Sequence, residues 1–346
     1  MSSMVQSVLT APAPEVSSES ASRIALRYFG IAATATPLTG ERDRNFHLTT
    51  ADGADYLLKI VNPAEDPMVT SYQARALLHL AERDPALPVP RLVPAVDGML
   101  SPLLVEPGLP ARQLRMMTYL SGTPFSSVRR SAPLRAKLGA GLARLDRALA
   151  DYRHVPPEQP LLWDLAHAAE LRPMLVHIED GRRDLAAAVL DRFQNHVFPV
   201  LMKLRWQTIH NDFNPSNILI SADGQDLAGI IDFGDMVESS LVNDLAVAAS
   251  YHVEAEGPLL APLLEFVSAY HAVLPLEDRE IDCLFDLIQT RMMMTVTISA
   301  WRAVLQPENR DYILRNAGRA WLGLKRAGEL APGEATAAFR RHLKGA

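Results

Sequence analysis

The stretch Ile209–Ile220, IHNDFNPSNILI, constrains this chain more than any other. Apolar residues bracket His210, Asn211, Asp212, Asn214 and Asn217. A surface loop explains the polar residues but not the brackets, whereas a charge held near a core explains both. The following segment, NILISADGQDLAGIIDF, reads as two apolar strands joined by a turn at Gly224, and Asp232 then opens DFGD. Asp212, Asn217 and Asp232 therefore gather three oxygen-bearing side chains at one end of a two-stranded ribbon. Magnesium takes oxygen ligands, keeps several waters, and commonly uses only one or two carboxylates plus phosphates. Asn217 with Asp232 forms such an incomplete shell for Mg2+. Asp212 is left to accept a proton from an attacking hydroxyl, or to aim it. Any one of these residues alone reads as a polar turn with asparagine caps; the constellation does not.

The rest of the chain supplies a frame for that loop. Its 346 residues suffice for two lobes sharing a cleft. Residues 1–18 are small, polar and proline-bearing, and read as a disordered tail. A helix through ASRIALRYF stops at Gly30, and RNFHLTT and DYLLKIVN flank an Asp52-Gly53 hairpin turn. SYQARALLHLAER is helical, and LPVPRLV, SPLLVE and LRMMTYL are extended. After Gly122-Thr123-Pro124, helical periodicity dominates, including WDLAHAAELRPMLVHI. The expected division is a nucleotide-binding lobe at 19–117, a hinge at 118–124 and a helical catalytic lobe at 125–346. The class is α+β, with a small antiparallel sheet and a larger, mainly helical part.

Composition narrows the partners. Net charge is −6 with no basic stripe, which argues against nucleic acid. No stretch approaches the roughly 20 apolar residues of a membrane span. The single cysteine, Cys283, suits a reducing compartment, and the N-terminus lacks a signal-peptide pattern, so a cytoplasmic protein is expected. Lys59 sits inside the apolar strand YLLKI, where a lone lysine usually lies at an edge. Upstream, TGERDRNF is a turn able to cover phosphates with backbone N–H groups, although it holds only Gly40 and no fuller glycine motif.

The order of lysine strand, helix, connector, H-x-D-x-x-x-x-N, hairpin and D-F-G is what phosphoryl transfer on a two-lobed frame requires. With these motifs the chain resembles the aminoglycoside phosphotransferase and choline kinase group of protein-kinase-like small-molecule kinases. GERDRNFHL, LPVPRLV, TIHND and IDFGDMVESSLVNDLAVA are most similar to its hydroxylysine kinase branch. The resemblance covers roughly residues 20–330 and implies a bilobal protein-kinase-like fold. It implies that Asp212 is the catalytic carboxylate, that Asn217 and Asp232 hold Mg2+, and that Lys59 contacts the α- and β-phosphates of ATP or GTP. Gly40, Arg42 and Asn45 would belong to the phosphate-covering turn, and Met117, Thr118 and Leu120 would offer backbone groups to the purine. His210 and Asp244 would support the loop. Gln73 stands where relatives carry the glutamate that pairs the lysine, so an amide would meet Lys59. Asn211 stands where many relatives have glycine, and its side chain could add a contact to the loop.

The implied activity is transfer of a phosphoryl group to the hydroxyl of a small amino-alcohol such as 5-hydroxylysine. Alternatives are an aminoglycoside, choline, ethanolamine or homoserine acceptor, or a nucleotide-binding regulator without turnover; a monomer or homodimer is expected. Asp235 and Glu238, just after the metal motif, are the first acceptor candidates, with Trp163 and Arg291 behind them. Glu254, Glu256, Glu265, Glu277, Asp278, Glu280, Asp282 and Asp286 are either a negative field that attracts an amine or a solvated face.

Overall fold

The structure, a computed structural model, describes residues 13–40, 42–156 and 161–344. The chain forms two compact units. The first runs up to Gly122 and takes in short returns from Tyr152 and at Ala228–Ile231; the second takes the remainder from Thr123 onward.

In the first unit, helix α1 (Ser18–Phe29) begins where the Ser17 hydroxyl accepts the Ser20 N–H at 3.1 Å. It ends at Gly30, whose φ of +70° suits a residue without Cβ. The helix thus starts inside the segment expected to be disordered, and Val16 packs against the core beside it. The rest of that expectation, residues 1–12, lies outside the described residues. Strands β1 (Ala33–Leu38), β2 (Arg44–Thr50), β3 (Asp55–Ile60), β4 (Leu92–Val93), β5 (Leu103–Leu104) and β6 (Arg112–Thr118) form an antiparallel sheet. Its order is β1-β2-β3-β6-β4, with β5 also on β6. The alternation of β2 and β3 sends Phe46, Leu48, Leu58 and Ile60 into a core shared with Leu114, Met116 and α1. Each such side chain contributes about 1.5–3 kcal/mol on burial. Helix α2 (Pro67–Arg83) is inserted after β3, capped by Asp66 with Pro67 in its first turn, and buries Tyr72, Gln73, Leu77 and Leu80.

In the second unit, β7 (Thr123–Pro124) leads to helix α3 (Ala132–Leu149). The segment Leu165–His177, expected as one amphipathic helix, is instead a succession of tight 3-10 turns. Pro173 within it removes a backbone donor and clashes with a regular α ladder. Helix α4 (Asp180–Arg192) precedes strands β8 (Trp206–Ile209), β9 (Ile218–Ile220) and β11 (Val237–Ser240); β10 (Leu227–Ile230) lies between β9 and β11 in sequence, and its residues from Ala228 belong to the first unit. β11 pairs with β8, joining Val237 to Ile209 and Ser240 to Trp206, and β9 pairs with β7. Helices α5 (Leu241–Ser250), α6 (Leu260–Val273), α7 (Asp278–Leu305), α8 (Ala317–Ala327) and α9 (Glu334–Leu343) complete the unit. Helix α5 is buried along its whole length, which fixes everything hydrogen-bonded to it. Helices α3 and α6 approach so closely that a Cβ on Gly139 would lie 2.2 Å from the Phe266 carbonyl oxygen.

Candidate active site

Strand β8 runs out at Ile209 into the polar loop, and the pairing of β8 with β11 places the loop above the buried helix α5. Asp244 on that helix accepts the His210 N–H (2.9 Å) on one oxygen and the Asn211 N–H (2.8 Å) on the other. Asn211 takes φ +64°, a left-handed conformation that asparagine tolerates far better than most residues and glycine tolerates freely. The contact expected of the Asn211 side chain is not made: its amide is buried, and neither its nitrogen nor its oxygen has a hydrogen-bond partner among the described residues. His210 is fully buried, stacks edge-on against Phe233 at 4.8 Å, and its Nδ1 accepts the Asp212 N–H. It therefore shapes the turn from behind.

The Asp212 carboxylate is held asymmetrically. Its Oδ2 accepts from Asn214 Nδ2 (2.9 Å) and Asn217 Nδ2 (2.7 Å), and Asn217 Nδ2 also reaches the Asp212 carbonyl at 3.0 Å. Its Oδ1 faces Arg291 Nη2 at 3.5 Å. Burial raises the Asp212 carboxyl well above the usual carboxylate range, and the charges of Asp235 and Asp232 push the same way. Arg291 and the Asn214 amide oppose that rise. A carboxylate with raised proton affinity suits proton acceptance near neutral pH.

Arg291, on α7, is 2% exposed. It donates to the Trp163 carbonyl at 2.8 Å, and its guanidinium lies 4.9 Å from the Trp163 ring centre. Both residues were expected among acceptor contacts. The structure puts Arg291 against Asp212, the Trp163 carbonyl and the Tyr251 side chain, so its guanidinium is engaged within the protein. Asp164 beside them is tied down by Ser239 Oγ at 2.7 Å and caps the 3-10 segment through Ala166 N–H.

Among the described residues no group of three or more His, Cys, Asp or Glu side chains could hold a metal ion. Asn217 and Asp232 are the oxygen-bearing candidates for a metal ion. Asn217 spends its amide nitrogen on Asp212, which leaves its carbonyl oxygen outside those contacts. Asp232 takes φ +61° and uses Oδ1 on the Gly234 N–H at 3.3 Å, leaving Oδ2 uncommitted in that contact. This suits a hard cation that draws its other ligands from water and phosphate. Asp235 follows in the same turn, and Glu238 lies exposed on β11 opposite Thr208.

The first unit carries Lys59 on β3, paired across the sheet with Asn45 on β2 and Arg115 on β6. Lys59 Nζ lies 3.0 Å from Asp43 Oδ2, not on Gln73, correcting the expected partner. Gln73 Oε1 instead accepts from Arg115 Nη2 at 2.7 Å, because Arg115 is the buried cation that α2 covers. In the turn before β2, a Cβ on Gly40 would meet the Asp43 carbonyl oxygen at 2.6 Å and Asn45 Nδ2 at 2.8 Å, so this tight packing requires glycine. The Arg42 carbonyl accepts from Asn62 Nδ2 at 3.0 Å, and Asn45 Oδ1 is buried without a hydrogen-bond partner. The purine-facing expectation narrows. Met117 and Thr118 lie within β6, and the Thr118 N–H donates to Arg91 O at 2.8 Å. The Tyr119 N–H donates to Asp55 O at 3.1 Å, which leaves Leu120 as the member of the segment beyond these bonds.

The acidic run from Glu254 to Asp286 is not a free negative field. Arg135 pairs with Glu254 (2.7 Å) and Glu265 (2.5 Å), Arg192 with Asp286 (2.6 Å), Arg205 with Glu280 (2.5 Å), and Arg340 with Asp282 (2.6 Å). These arginines come from distant stretches of sequence, so a local count of charge could not foresee them. Sequence reasoning also missed Asp43. An acidic residue inside a turn meant to cover phosphates was the available signal.

Comparison with known proteins fits this geometry. Residues 34–280 match the model of a phosphotransferase enzyme family. Hydroxylysine kinase of Danio rerio is 28% identical over 339 residues, covering 93% of this chain and 94% of that protein. The Mus musculus hydroxylysine kinase is 28% identical over 314 residues, covering 84% and 83%. A microcompartment-associated aminopropanol kinase of known structure shares the fold, with a TM-score of 0.64 at 15% identity, over 91% of this chain and 98% of that one. No helix among the described residues is long and apolar enough to cross a membrane. With a two-unit α+β architecture, a braced H-x-D-x-x-x-x-N loop and a family match over most of its length, this chain belongs to the phosphotransferase enzyme family.

Proposed function

We propose that the protein is a small-molecule kinase that moves the γ-phosphoryl group of ATP or GTP to the hydroxyl of an amino-alcohol such as 5-hydroxylysine. The observation that carries this reading is the asymmetric Asp212 carboxylate, with Oδ2 saturated by two amides and Oδ1 left open beside Arg291. An acceptor hydroxyl hydrogen-bonded to Oδ1 is aimed at the γ-phosphorus. As its oxygen forms the new P–O bond, the bond from γ-phosphorus to the β,γ-bridging oxygen breaks, and the hydroxyl proton passes to Asp212. Arg291 steadies the carboxylate from behind. Asn217 and Asp232 would hold Mg2+, which neutralises phosphate charge when bound. Lys59 would bind the α- and β-phosphates. Likeness to hydroxylysine kinases over nearly the whole chain supports the amino-alcohol class.

The test is turnover with purified protein, Mg2+, and ATP or GTP against hydroxylysine, homoserine, choline, ethanolamine and kanamycin. Hydroxylysine is expected to give the highest kcat/KM, and Asp212→Ala is expected to remove turnover while nucleotide binding persists. Nucleotide binding with no acceptor consumed would replace this reading with a regulator.

A further inference from the structure

The register of the first sheet creates a problem that the surrounding residues solve. Lys59 and Arg115 stand directly opposite each other on β3 and β6. Like charges in that relation repel, so each needs its own acceptor. Arg115 takes the amide oxygen of Gln73 from α2. Lys59 takes the carboxylate of Asp43, which arrives from the other side, on the turn between β1 and β2.

Asp43 is built as a fixed support. Its Oδ1 accepts the Asn62 N–H at 2.9 Å while Oδ2 meets Lys59, so the two oxygens have separate tasks. Asn62 in turn clasps the Arg42 carbonyl, and Gly40 packs against the Asp43 carbonyl with no room for a Cβ. The Lys59 and Asp43 side chains are 15% and 17% exposed: sheltered, yet reachable by a ligand. We propose that Asp43, on the turn between β1 and β2, is the positioning residue that orients Lys59 for the nucleotide phosphates. The proposal rests on the reading of Lys59 as the phosphate contact. Burial works against a charged Asp43, but Lys59, the Asn62 N–H and Arg115 outweigh it and hold the carboxyl below its ordinary range, so the anchor is ionised when it is needed. Because α2 touches Arg115 through Gln73, a small shift of α2 stretches that bond and leaves the lysine anchored.

The experiment measures binding of Mg·ADP and of adenosine to the full chain, in Asp43→Asn, Lys59→Met and the double variant. Asparagine keeps an oxygen for the Asn62 N–H and removes only the charge. Asp43→Asn is expected to weaken ADP by about tenfold, as loss of one charge-assisted contact does, and to leave adenosine unchanged. In the Lys59→Met background the same change should add nothing, because Asp43 acts through the lysine. Equal losses for ADP and adenosine, additive losses, or tighter ADP binding each overturn the assignment. If Lys59→Met binds ADP normally, the reading of Lys59 falls and this proposal with it. If Lys59→Met weakens ADP and Asp43→Asn does not, only the Asp43 assignment falls. Should Asp43→Asn not fold, Gln73→Glu decides: no tightening of ADP is expected, since residue 73 faces Arg115, and a clear gain would place the anchor on α2.

Discussion

Asp244→Asn removes one oxygen from a carboxylate that holds two consecutive backbone N–H groups, those of His210 and Asn211. A hydrogen bond to a charged acceptor is worth about 1.5–3 kcal/mol, and the buried N–H left facing an amide costs about 1–3 kcal/mol more. Part of this returns because Asp146, itself buried, no longer faces a second carboxylate. The net loss is about 2–4 kcal/mol, which for a chain of this size lowers the melting temperature by roughly 3–6 °C. The catalytic effect is separate. The brace holds Asn211 in its left-handed conformation, and when it slackens, the next residue, Asp212, leaves its place. A displacement of about 1 Å costs on the order of a hundredfold in kcat. Differential scanning calorimetry and steady-state kinetics on the same preparation read both effects. A variant with a melting temperature within about 1 °C of the parent and a kcat within about twofold would refute the reasoning, since neither bond could then carry the load assigned to it.

Asp232→Ala is expected to raise the half-saturating Mg2+ concentration by about tenfold or more in a kinase assay, and an unchanged titration removes Asp232 from the metal site. Arg291→Met breaks a buried charge contact and should cost about 3–5 kcal/mol in urea unfolding, with Arg291→Lys recovering only part because it cannot serve Asp212 and the Trp163 carbonyl together. Asp146 is buried against Tyr270 (2.6 Å) and near Asp244, and burial raises its pKa well above that of an unfolded aspartate. Its folded form binds the proton more tightly, so its stabilising effect is complete below about pH 4 and is lost as pH climbs through the raised value. The gap in melting temperature between the parent and Asp146→Asn should accordingly move against the parent as pH rises from about 4 to 8, and a constant gap would contradict this.

The architecture was legible wherever periodicity and turn chemistry agreed. Gly30, Asp52-Gly53 and the alternation of Phe46, Leu48, Leu58 and Ile60 announce α1 and the central hairpin without tertiary help. The active loop was legible because its residue types are costly to bury without a task. What stayed hidden depended on contacts between remote segments. Pro173 warned against a helix across 165–177, yet apolar spacing suggested one all the same. The partner of Lys59 could not be read, because a residue 16 positions upstream and one 14 downstream are equally plausible until the turn before β2 is folded. The acidic residues of α7 looked unopposed only because Arg192, Arg205 and Arg340 reach them from elsewhere.

Arg340 gives the last helix an importance that its position near the end of the chain conceals. It grips both oxygens of Asp282 and approaches Asp278, while its neighbour Phe339 is fully enclosed. Trimming the chain ahead of α9 would strip a hydrophobic plug and a forked clamp from the start of α7, the same helix that carries Arg291 to Asp212. Shortened variants meant to ease crystallisation would thus disturb the surroundings of Asp212 from the far end of that helix.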